Sequence, residues 1–335
     1  MITREAHRIL HQECNFVGTL NRQYDDRYAR SGAKIGDILQ IRLPNEYTVT
    51  DGATLDVQDT VETKVDLQVS TQKHVAMKFT SAELTLDLQD FSDRIIKPAV
   101  SVLAAKIEAD AMTMYKDVYN EISDVGATAT KTLVLKTSQK LTDSLAPTGS
   151  DRCINLNTLD NLNMVDSLTG LFNPNANISK QFREGMVANQ FLGYGMVYEN
   201  TLWPTHTTGT DDGTGDYLVN MTAGAFSQGQ AALTVDGGAG TWSKGDIFYM
   251  SNVFRVHPES KDSTGLLQPF VVTADVSASA TSIAFSPAMH TTGGRQNITA
   301  FPANNTPLDK FESDVNEGTV GTGTAIGNAA DYRIS

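Results

Sequence analysis

Between Gly36 and Phe79 the chain alternates apolar and polar positions. Ile38, Leu39, Ile41 and Leu43 predict a strand that stops at Pro44, which has no N–H to give a ladder. The next residues stay extended through Tyr47 and Val49 into Asp51-Gly52, a pair suited to a turn. Beyond it Leu55, Val57, Val61, Val65, Leu67, Val69, Val75, Met77 and Phe79 all fall on odd positions, with polar residues at nearly every even one. Side chains of an extended chain point alternately to opposite faces, so this is a ribbon with one apolar and one wet face. At 3.3 Å per residue, 55–79 would span about 80 Å, several times the usual strand. Such a ribbon predicts shelter on another copy of the chain. The competing reading folds a long hairpin back onto its own sheet.

Helical periods flank the ribbon. Ile9, Leu10 and Cys14, with Thr3 as cap, predict a short helix over 3–14, and 21–36 reads as polar loop or extended arm. Thr80-Ser81-Ala82-Glu83 matches a capping box that opens a helix through about Leu88. Ile95, Ala99, Leu103, Ile107, Ala111, Tyr115, Val118 and Ile122 then step by three or four, widened by Ile96, Val100, Met114 and Tyr119. This predicts a strut helix from Pro98, placed in its first turn, to Ile122, about 37 Å long and closed by Gly126. Residues 137–200 read as α/β, with helices at 138–145, 158–168 and 178–186 and strands at 153–156 and 195–198. From Thr205 the texture turns to Gly, Thr, Ser and Asp. β-runs at 232–235, 247–250, 270–273 and 282–285 predict a small barrel or sandwich over 205–300. Residues 301–335 offer little to fill a core.

Composition narrows the function. With 335 residues and a net charge of −13, the chain is too acidic for a protein whose main task is gripping nucleic acid. Its start is slightly basic: Arg22, Arg27, Arg30 and Lys34 suit either a polyanion or a solvated arm. Cys14 and Cys153 cannot build a disulfide scaffold and suit a reducing compartment. No apolar run approaches the roughly 18–20 residues that span a bilayer, and the charged N-terminus is unlike a signal peptide.

Catalytic signals are sparse. His7, His11 and Cys14 share a helical face at zinc-like spacing, but Arg8 stands where a His-Glu-x-x-His motif needs glutamate. The Asp211-Asp212-Gly213-Thr214-Gly215-Asp216 run departs from the EF-hand register, with Thr222 where a bidentate glutamate is required. Neither a Gly-x-Ser-x-Gly elbow nor a phosphate-cradling Gly-x-x-x-x-Gly-Lys is present, and His206, His257 and His290 read as turn residues. The expectation is a protein without catalysis, metal or cofactor.

The order of parts resembles that of the major capsid proteins of tailed bacteriophages, an α+β architecture known as the HK97 fold. More specifically, it looks like podovirus-type coat proteins with an inserted β-barrel. The stretches that carry it are NRQYDDRYARSGAKIGDILQIRLP (21–44), FTSAELTLDLQDFSDRIIKPAVSVLAAKIEADAMTMYKDVY (79–119) and SNVFRVHPESKDSTGLLQPFVVTAD (251–275). The resemblance implies an N-terminal arm (1–35), an extended β-hairpin or E-loop (36–80) and a peripheral domain with its spine helix (81–125). It further implies a mainly axial segment (126–204), an inserted β-barrel-like domain (205–300) and a return to the axial domain (301–335). Family members continue past the equivalent of Tyr332 with further strands, so it implies that C-terminal strands are missing here.

The function implied is a coat protein that self-assembles into hexamers and pentamers of an icosahedral shell around double-stranded DNA. Assembly would take place in the host bacterial cytoplasm, with a scaffolding protein, a portal and maturation, and without a membrane. The E-loop interface would be Leu55, Val57, Val61, Val65, Leu67 and Val69. Arg22, Arg27, Arg30 and Lys34 would face the interior, and Glu259, Lys261 and Asp262 would lie on a contact loop of the inserted domain. Other readings are a cellular nanocompartment shell of the same fold, or a tail-tube or decoration protein.

Overall fold

The computed structural model describes residues 14–20, 36–53, 57–60, 62–76, 78, 92–122, 130–149, 152–168, 192–211, 217–221, 224–310 and 332–333. The chain divides into two compact units, Met1–Thr113 and Met114–Ser335, so the division falls inside the 81–125 segment.

In the first unit α1 (Phe16–Thr19) is a single turn, β1 spans Ile38–Arg42 and β2 spans Lys64–Gln68. The two strands pair antiparallel, Leu39 opposite Leu67 and Ile41 opposite Val65. The alternation predicts a strand over 55–79, but the regular strand is only Lys64–Gln68. Alternation reports which face is wet; a ladder also needs a partner, and β1 supplies one for five residues. A π-helical turn, Ser92–Ile96, leads into α2, Lys97–Met112, with Pro98 in its first turn, where a missing N–H costs nothing.

Helix α2 ends ten residues short of the predicted Ile122: a 3-10 stretch, Thr113–Asp117, follows, and Glu121–Ile122 is strand β3. Its most buried positions are Val100, Ala104, Glu108 and Met112, in line with Ile96, whereas Ala99, Leu103, Ile107 and Ala111 are only half-buried. Steps of four on a 3.6-residue helix advance about 40° each, so the covered face winds around the helix. The Glu108 carboxylate on this stripe accepts the Phe16 and Val17 amides, fixing the start of α1. The helices predicted over 3–14, 80–88 and 178–186 fall wholly or almost wholly outside the described residues.

In the second unit α3 is Lys131–Asp143, starting seven residues before the predicted Ser138. Thr130 caps it, accepting the Leu133 amide at 3.4 Å. It is followed by β4 (Cys153–Leu156), α4 (Thr158–Leu168) and β5 (Met196–Glu199), close to the predicted spans. β4 and β5 pair in parallel, and Val134, Met164 and Tyr194 form the small core beneath them. Further on come β6 (Gln230–Thr234), β7 (Ile247–Met250), β8 (Phe254–Val256), β9 (Ser263–Leu267), β10 (Phe270–Val272), β11 (Ser282–Met289), β12 (Leu308–Lys310) and β13 (Tyr332–Arg333).

Five strands form one sheet in the order β12-β7-β10-β11-β6. Residues 217–220 bridge its two edges: Val219 pairs with Val235 beside β6, and Leu218 pairs with Pro307 beside β12. The sheet therefore curls into a closed barrel. Its interior is filled by Trp242, Phe248, Phe270 and Phe285 with their aliphatic neighbours. The Phe248 and Phe270 rings lie 5.6 Å apart, and Phe285 meets Phe270 edge-on at 5.2 Å. Ile247, Tyr249, Leu267 and Val271 make a second apolar layer, so β7 and β10 are covered on both faces and read as unbroken apolar runs. The sheet does not end at 300. β12 is hydrogen-bonded to β7, and Leu308 is fully buried, so 301–310 contributes to a core that the polar composition of this stretch conceals.

Candidate assembly surfaces

The backbone ladder of the hairpin reaches past its strands, from Gly36 N–H to Val69 O (2.9 Å) at one end to Leu43 N–H to Thr63 O (2.9 Å) at the other. Beyond that, side chains hold the legs together: Thr48 N–H donates to Gln58 Oε1 at 3.0 Å, and Arg42 pairs with Glu62 at 3.2 Å. Lys73 forms an ion pair with Asp110 of α2 and holds that carboxyl below its ordinary range, anchoring the hairpin's second leg.

On the odd-numbered face of the hairpin Leu39 is buried and Ile41 half-buried. Across from them Val65 and Leu67 remain 51% and 53% exposed, and toward the tip Val57 is 78% exposed. Val75 is also exposed and Val69 is half-buried; Leu55 and Val61 lie outside the described residues. Most of the described apolar strip is thus exposed, as are the polar residues on the other face of β2. A lone apolar residue on a surface is ordinary, whereas a contiguous apolar row on one sheet face is not.

Strands β8 and β9 form a second hairpin, the predicted 258–265 loop being its turn and the start of β9. Glu259 and Asp262 are exposed at its tip. Lys261 is half-buried with a left-handed backbone (φ 61°), and its ammonium donates to Gly294 O. His257 Nδ1 accepts the Glu259 and Ser260 amides at 3.3 and 3.2 Å, which makes His257 the turn-former the sequence predicts. Arg22, Arg27, Arg30 and Lys34 lie outside the described residues, as do His7, His11 and Asp212–Asp216.

His206 is not a turn residue. It is almost fully buried, with Nδ1 facing Tyr115 Oη at 3.2 Å and Nε2 bonded to Asp246 Oδ1 at 2.8 Å. Asp246 Oδ2 accepts the Gly209 and Ser243 amides, both at 2.9 Å, and faces Lys310 Nζ at 3.4 Å. Burial resists charge on Asp246, but His206, Lys310 and the two amides outweigh it and hold the carboxyl below its usual range. These residues are scattered along the sequence with no motif spacing, so only the fold reveals the cluster. Within the cluster His206, Asp246 and Lys310 are buried, and Tyr115 is half-buried.

Among the described residues no group of three or more His, Cys, Asp or Glu is placed to hold a metal ion, and no helix is long and apolar enough to cross a membrane.

No curated protein matches the chain. Among solved structures, one from Mycobacterium phage Che8 aligns at TM-score 0.41 and 17% identity, covering 57% of this chain and 70% of that one. The CUS-3 coat protein I-domain aligns at TM-score 0.21 and 25% identity, covering 32% of this chain and 98% of its own. The model of the family described as "P22 coat protein - gene protein 5" matches residues 23–310. That match spans most of the sequence and favours a phage coat over a nanocompartment shell, tail-tube or decoration protein. The chain belongs to the P22 coat protein family and is a phage coat protein.

Proposed function

We propose that this coat protein forms hexamers and pentamers that close into an icosahedral shell around double-stranded DNA. The observation that carries this reading is the uncovered apolar face of the β1–β2 hairpin, with Val57, Val65 and Leu67 at least half exposed. The hairpin plays the part of the E-loop, laying that face on the next subunit, and α2 plays the part of the spine helix. Obligate interfaces of this kind bury about 2,000–5,000 Å². Contacts of hairpin to neighbour are head-to-tail, and head-to-tail contacts close into rings when the rotation between subunits allows it.

In the same reading residues 1–35 form the arm, with Arg22, Arg27, Arg30 and Lys34 facing the interior. The barrel is the inserted domain, and the Glu259–Asp262 tip touches a neighbouring capsomer. The net charge of −13 supports a lining that leaves packaged DNA mobile. A scaffolding protein and a portal complete the assembly, in the host cytoplasm.

Negative-stain imaging of the purified full chain tests the proposal. Closed shells support it, and a protein that stays solitary at high concentration overturns it. Cargo analysis of shells recovered from infected cells separates the enclosed polymer: genome-length DNA is expected, and a protein load refutes the packaging role.

A further inference from the structure

The barrel has a neck, where the chain comes in along 206–211 and goes out along β12. Few backbone bonds join the incoming segment to the barrel wall; one is Asp211 N–H to Thr241 O at 3.1 Å. Instead, Gly209 is held twice. Its amide donates to Asp246 Oδ2 (2.9 Å), and its carbonyl accepts from Lys310 Nζ (2.8 Å). Lys310 Nζ also donates to Asp211 O (3.2 Å), faces Asp246 (3.4 Å) and lies over the Trp242 ring, 5.3 Å from its centroid. Glycine is needed at 209, because a Cβ there would collide with the Thr241 carbonyl. Both charged partners are buried, and an ammonium has no more than three protons to give.

We propose that the Lys310–Asp246 pair is a clasp that locks the chain entering the barrel to the chain leaving it, so that the neck opens and closes as one event. The ion pair is shared by both ends of the module. Removing Lys310 takes the cationic partner from a buried carboxylate that keeps only His206 and two amides, and it frees two carbonyls of the incoming segment at once. Losing one member of a buried pair costs more than removing both together. His206 and Tyr115 extend the clasp to the 3-10 stretch 113–117. The proposal is independent of the shell reading.

Amide hydrogen exchange on the unassembled full chain tests it. In Lys310→Met, exchange at Gly209 and Ser243 is expected to rise about a hundredfold, while Val271 and Val272 in β10 keep their protection. The double variant Asp246→Asn/Lys310→Met, with both charges gone, should regain most of that protection. Unchanged exchange at Gly209 and Ser243 in the single variant overturns the clasp, as does a double variant no better protected than the single. If Lys310→Met does not fold, Lys310→Arg decides. A folded arginine variant with a protected Gly209 supports a charge clasp, and its failure shows that side-chain shape, not charge, holds the neck.

Discussion

Placing aspartate at both Val65 and Leu67 tests the hairpin interface most directly. Fully burying a valine or leucine side chain is worth about 1.5–3 kcal/mol. About half of each is still exposed in the subunit, so covering the pair contributes roughly 2 kcal/mol. Val57, more exposed still, adds about 1.5 kcal/mol, for a strip worth roughly 3–4 kcal/mol per subunit contact. The double substitution removes most of that and adds two carboxylates that must be desolvated, at about 1–3 kcal/mol each. The total of about 5 kcal/mol corresponds to a critical assembly concentration raised more than about a thousandfold. Within the subunit the cost is small, because both positions are already half in water and only the cross-strand pairs with Ile41 and Leu39 are weakened, by about 0.5–1 kcal/mol each. Sedimentation velocity across a concentration series, with a melting curve on the same sample, measures both quantities. Closed particles at the wild-type concentration, from a double variant that melts normally, would refute the assignment of this face to an interface.

Asp309 gives a pH-dependent prediction: burial raises its carboxyl to about 6, and its Oδ2 has no hydrogen-bond partner among the described residues. A raised folded-state value means stability that is fully present below about pH 4 and lost as pH rises through about 6, worth up to about 3 kcal/mol. Asp309→Asn should therefore stabilise the protein at pH 8 and do little at pH 4, and urea unfolding with an equal effect at both values would contradict this. Leu145 follows α3 in a left-handed conformation (φ 60°) and is exposed, with the Ala146 amide bonded back to Leu141 O at 3.0 Å. Leu145→Gly relieves that conformation and should raise stability by roughly 0.5–1 kcal/mol, read from the urea midpoint; a loss would show that the side chain matters more than the backbone. Glu259→Ala/Asp262→Ala leaves the Lys261 and His257 bonds of the turn intact, so the subunit should melt normally while particle yield or size changes. Particles unchanged in both respects would remove the tip from the capsomer contacts.

The parts legible in the sequence are those where one physical signal decides. β7 declares itself as an apolar run, and α4 as a helical apolar period. The start of α3 is hidden because its buried stripe includes Thr137 and Lys140. Both are polar residues satisfied inside the fold, Thr137 by Tyr194 Oη at 2.6 Å and Lys140 by Glu121 O at 2.7 Å. The apolar spacing of 95–122 continues past Met112 although the α-helix does not, so spacing alone does not mark where the 3-10 stretch begins. In β2 alternation separates an apolar from a polar face, both of them exposed, but does not give the length of its ladder, which depends on β1. The His206 cluster was illegible because its members come from four distant places and carry no periodicity.

Coverage of β7 on both faces has a consequence for how its strand finds its alignment. In a half-exposed strand a one-residue slip is punished because it swaps greasy and wet side chains. In β7 such a slip would exchange Phe248 and Met250 for Ile247 and Tyr249, apolar for apolar, so hydrophobicity alone discriminates weakly. The residue just before it, Asp246, supplies what is missing: dragging its caged carboxylate one place along would tear a charge from its donors. A single acidic side chain thus serves as the index mark for this one strand.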